Sequence, residues 1–145
     1  MTRPLLLALA LTLATAPALA QPLPLNPTVT QATIGATICQ PGWTKRIRPR
    51  STTARRIKRQ LLVRIGEPVS HAGLYELDHR IPLALGGARI DRHNLALQPI
   101  AEARHKDAIE FCLYRAVCEG ALTLTEAQTK IWQNWRRAAR LCEGK

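Results

Sequence analysis

No run of about 18 consecutive apolar residues occurs in this 145-residue chain, and a helix that spans a bilayer needs about 20. A membrane-embedded protein is therefore not expected. Glycine is scarce at eight residues, and hydrophobic residues make up 46% of the chain, which argues for a folded body and against disorder. No internal repeat is present, so a solenoid is excluded. The four cysteines contain no C-x-x-C spacing, which leaves a four-cysteine zinc site with little support. Acidic residues are few, ten against 21 Lys and Arg, for a net charge of +11. A surface of that sign seeks polyanions such as nucleic acid, anionic head groups or acidic glycans.

Residues 1–20 carry the marks of a secretory signal peptide: a positive start at Arg3, an apolar run from Leu5, and the small-x-small site Ala18-Leu19-Ala20. Cleavage there predicts a periplasmic or secreted protein of 125 residues, enough for one domain and too few for two. Such a compartment is oxidising, so Cys39, Cys112, Cys118 and Cys142 are expected to form two disulfides. Residues 21–36 have three prolines early on and no apolar periodicity. They read as an extended, poorly ordered tether before a single domain over 37–145.

From Lys45 to Arg59 eight residues are basic, namely Lys45, Arg46, Arg48, Arg50, Arg55, Arg56, Lys58 and Arg59, and none is acidic. Thr52 or Thr53 is placed to cap a helix with apolar positions Ala54, Ile57, Leu61 and Ile65, ended by Gly66 and Pro68. Its charges lie largely off that stripe, and so many in one stretch point to a polyanion-binding surface, with a solvated helix face as the plain alternative. Leu74–His79 and Leu95–Leu97 read as two short strands. A helix follows, with His105, Ala108, Ile109, Cys112, Ala116 and Val117 as its inward stripe and Gly120 as its end. Thr123 with Glu126 forms a capping box for a last helix whose stripe runs Leu124, Ala127, Ile131, Trp135, Ala138, Cys142. Trp132, Trp135 and Tyr114 are expected in the core, and His71 and His93 in exposed loops.

Geometry narrows the disulfide pairing. Cys112 and Cys118 are about 9 Å apart along one helix, beyond the reach of a bridge. If the last two helices form a hairpin through Gly120, Cys118 lies about 27 Å from Cys142. Cys39 with Cys118 and Cys112 with Cys142 remain, the second requiring the helices to cross or the last turn to bend back.

The chemistry is concentrated in residues 76–107. Adjacent Asp78 and His79 at a strand end send their side chains to opposite sides. One is thus able to hold a cation while the other takes a proton. Asn94 and His105 follow at intervals that place an amide and a second imidazole near the strand pair. With Ile81-Pro82-Leu83, Gly86-Gly87, Asn94-Leu95 and His105-Lys106-Asp107, this segment resembles the HNH endonuclease family. Thr37-Ile38-Cys39, Gly42-Trp43-Thr44 and the tail with Cys118, Thr123, Glu126 and Trp135 extend the likeness to small exported bacterial proteins with an HNH-type core. The family's separate cysteine-bound structural zinc has no counterpart here.

The resemblance implies an α+β fold with a ββα-metal core, flanked by a basic helix and a C-terminal helical hairpin. It implies His79 as general base, Asn94 as loop clamp, and one divalent ion (Mg2+, Zn2+, Mn2+ or Ni2+) held by Asp78 and His105, with Asp107 as the rival helix ligand. The implied activity is metal-assisted hydrolysis of phosphodiester bonds in DNA, or RNA, with little sequence preference, by a protein that acts as a monomer. The alternative is a non-catalytic cationic module that coats nucleic acid or another polyanion around a degenerate core. A structural metal site in a protein-binding module ranks last.

Overall fold

The computed structural model describes residues 21–142, so the expected signal peptide and residues 143–145 lie outside the described residues. The chain is α+β. Two strands, β1 (Tyr75–His79) and β2 (Leu95–Pro99), pair antiparallel with Asp78 opposite Ala96 and His79 opposite Leu95. Before them come a short helix α1 (Trp43–Ile47) and the basic helix α2 (Ser51–Arg64); after them come α3 (Ile100–Cys118) and α4 (Leu124–Ala138). No described helix is long and apolar enough to cross a membrane.

Helix α2 begins at Ser51 with no side-chain cap, not from Thr52 or Thr53. Ile57 and Leu62 are its buried residues, whereas Ile65 lies past the last turn and is exposed. Of the expected stripe Ile57 is buried and Ala54 and Leu61 are half-buried, and Leu62 beside Leu61 takes the second buried position. Gly66 takes up the left-handed conformation that ends it, at φ 76°.

The segment 21–36 is not a free tether. Asn26 donates its N–H to Gly86 O at 2.8 Å, Ala88 to Pro24 O at 2.9 Å, and Leu25 forms a β-bridge with Gly87. Val29 joins the core with Ile38, Ile81, Leu85, Leu113 and Val117. Prolines without periodicity suit an edge segment whose hydrogen bonds go to a loop, a partner that local sequence does not reveal.

In α3 the inward face is Ala103, Lys106, Leu113, Ala116 and Val117. Of the expected stripe Ala116 and Val117 are buried and Ile109 and Cys112 half-buried, whereas His105 and Ala108 at its start are exposed. There a lysine, Lys106, occupies the core position. Helix α4 has the full capping box from Thr123 and Glu126, then breaks at Asn134 (φ −168°, ψ 104°), where the Asn134 side chain accepts the Arg137 N–H. The break bends the chain end back over α3. Cys142 meets Cys112 (Cα–Cα 6.0 Å) and Cys118 meets Cys39 (5.7 Å), two cross-links of the kind an oxidising compartment sustains.

Candidate functional site

The loop between the strands is built around one amide. Asn94 is fully buried; its Oδ1 accepts the Ile81 N–H at 2.8 Å, and its Nδ2 donates to Ile81 O at 3.0 Å and Ala88 O at 2.9 Å. Gly87 makes room for this clamp, and Gly86 for the Val29 side chain packed on the turn. A Cβ on Gly87 would stand 1.8 Å from Ile81 O, and one on Gly86 2.7 Å from a Val29 methyl. The turn thereby fixes where β1 ends and where Arg89 presents its carbonyl.

That carbonyl lies 3.0 Å from His79 Nε2. A carbonyl only accepts, so Nε2 carries the hydrogen and the neutral ring has its lone pair on Nδ1. Burial lowers the His79 pKa below its usual 6.5, and the Arg48 and Lys106 charges act in the same direction, against the opposing effects of Arg89 O and Asp78. The ring is neutral at pH 7. A cavity of about 330 Å³ opens here, lined by His79, Arg48, Trp43, Asp78, Asp107 and Glu110 among others. Trp43 Nε1 is buried and has no partner among the described residues, and Arg48 brings a cation to the lining of the cavity that His79 shares.

Asp78 has a partner on each oxygen. Its Oδ1 accepts the His79 backbone N–H at 2.8 Å and its Oδ2 accepts from Lys106 Nζ at 2.7 Å. Lys106 also donates to His79 O at 2.8 Å and to Glu110. Burial alone would lower the Lys106 pKa, but Glu110 and Asp78 together outweigh it and hold it above the ordinary value. Burial pushes the Glu110 carboxyl up to about 7.

Of the expected site residues, the fold brings together Asp78, His79 and, through the loop, Asn94. His105 is elsewhere: it is exposed and lines neither of the cavities to which Asp78 contributes. Asp107 does line the His79 cavity. Among the described residues no three His, Cys, Asp or Glu side chains converge as metal ligands. The side chain that α3 sends to Asp78 is Lys106. Arg48 alone of the eight basic residues lines the His79 cavity, while Arg55, Arg56 and Arg59 stand exposed on α2.

Sequence reasoning missed Lys106, Glu110 and Trp43 as parts of the site. The signal for the first two was present, a Lys and a Glu four apart on one helix face, but that spacing is more often a solvated pair. A second cavity of about 290 Å³ lies on the Arg80 side of β1, where the Arg80 guanidinium stacks 3.7 Å from the Trp132 ring centre and Arg136 lies 4.3 Å from that of Trp135. The two tryptophans are thus half-buried and faced by cations. No protein-family model, curated protein or solved structure matches the chain.

Proposed function

We propose that this protein is an HNH-type endonuclease that hydrolyses phosphodiester bonds of nucleic acid, with His79 as general base. The observation that supports this reading best is the held imidazole: Nε2 fixed on the Arg89 carbonyl, the lone pair on Nδ1, and a cavity shared with Arg48. A water between Nδ1 and phosphorus gives its proton to Nδ1 as its oxygen attacks. Negative charge then grows on the phosphoryl oxygens, where the Arg48 guanidinium is suited to receive it. The bond from phosphorus to the 3′ oxygen breaks, and that oxygen is protonated from solvent.

The exposed cations of α2 supply a surface for the phosphate backbone without reading bases, which fits DNA or RNA of any sequence. Plasmid and single-stranded RNA incubations with the native protein and with His79→Ala test the proposal. Cleavage should fall by about 10² to 10⁴ in the variant, with binding retained. Equal cleavage by both proteins would remove His79 from the mechanism. Binding with no cleavage by the native protein under any divalent-ion condition would favour the cationic coating module.

A further inference from the structure

Lys106 presents an unusual arrangement for a lysine. Its side chain is 3% exposed, and an ammonium has three N–H bonds, each of which here has an acceptor: Asp78 Oδ2, Glu110 Oε1 and the His79 carbonyl. Two carboxylates and a backbone carbonyl converging on one point are also the donor set of a hard divalent ion. The point is occupied by a side chain of the protein itself. The same ammonium governs His79, because the His79 carbonyl is one of its acceptors and the His79 N–H is held by the other oxygen of Asp78. Both backbone polar groups of the general base are therefore tied to the Lys106–Asp78 pair.

We infer that Lys106 is the built-in cation of this site: its ammonium fills an oxygen cage made by Asp78, Glu110 and the His79 carbonyl, and serves there in place of a bound divalent ion. Lys106 is a positioning residue that acts through Asp78 and His79. Its removal leaves two part-buried carboxyl groups without a counter-charge, a state relieved by a proton on Glu110 or by another cation that enters. A Lys106→Ala chain should therefore acquire a site for Mn2+ that the native chain lacks. The cage assignment stands apart from the nuclease reading and only its catalytic consequence rests on it.

The test is a Mn2+ titration of the full native protein, Lys106→Ala, and Lys106→Ala with Asp78→Asn, followed by the loss of the free-ion electron paramagnetic resonance signal and by broadening of the His79 ring protons in NMR spectra. The expected result is one ion bound per chain by Lys106→Ala, none near His79 in the native protein, and loss of the site in the double variant. Thermal unfolding of Lys106→Ala should shift upward with Mn2+ and that of the native protein should not move. A folded Lys106→Ala that binds no ion would overturn the inference, as would broadening at His79 in the native protein that Asp78→Asn abolishes. If Lys106→Ala does not fold, the native titration and its Asp78→Asn control decide by the same broadening. In parallel, native cleavage should survive chelator while that of Lys106→Ala should require Mn2+. Absence of cleavage from every sample, with the binding results as expected, would sink the nuclease reading and leave the cation assignment standing.

Discussion

Asn94 satisfies both backbone groups of Ile81, accepting its N–H at 2.8 Å and donating to its carbonyl at 3.0 Å, from thirteen residues away. Replacing Asn94 with Ala would orphan those groups and the Ala88 carbonyl. At about 1 to 3 kcal/mol for each buried group left unmade, the loss should reach about 3 kcal/mol or more. Urea unfolding measures it, and hydrogen exchange should show the Ile81 amide losing protection first. A loss below about 1 kcal/mol would mean the loop holds without its clamp.

Gly87→Ala should prevent native folding, because its Cβ would meet Ile81 O at 1.8 Å. Gly73 has nothing within 4 Å of its added Cβ, so Gly73→Ala is the matched control and should change the unfolding midpoint little. Circular dichroism melting of the two variants side by side checks the contrast.

Replacement of Arg55, Arg56, Lys58 and Arg59 by Gln should weaken nucleic-acid binding evenly across sequences. If about five basic side chains of the 45–59 stretch reach phosphates, log K should fall against log salt with a slope of about −4.5. The four substitutions should flatten it. An unchanged slope would move the binding surface to the arginines of α4.

The pH response has two signs. The His79 pKa is lowered by burial, so cleavage should rise with pH along a limb centred below 6.5, the range where an unperturbed imidazole titrates. Its contribution to stability is present above the unfolded value of about 6.5 and is lost as pH falls through the folded one. Glu110 runs the other way. With a folded pKa raised from 4.5 to about 7, its contribution is full below pH 4.5 and is lost as pH rises through 7. Urea midpoints across that range should decline less steeply with rising pH in Glu110→Gln than in the native protein; parallel curves would contradict the raised carboxyl.

Several parts of this molecule were determined by local sequence. The strand pair follows from two short segments bounded by turn residues, the first with Tyr75, Leu77 and His79 alternating onto one face, and the Thr123–Glu126 box states the start of α4 outright, because a cap joins atoms only three residues apart. Asp78 and His79 fall at the end of β1 because alternation is a property of any extended chain. The basic character of α2 is likewise carried by one continuous segment.

Tertiary structure decided what depends on partners distant in the chain. The 21–36 segment gains its order from the loop at Gly86 and Gly87, and Lys106 becomes a core residue only because Asp78, 28 positions earlier, and Glu110 on its own helix neutralise it. A lysine read alone belongs in water, so periodicity puts His105 on the inward face at the start of α3, where the fold puts Lys106, while Ala116 and Val117 face inward as expected. Periodicity registers the cost of burying a charge; only the folded arrangement supplies the opposite charges and the three acceptors that offset it.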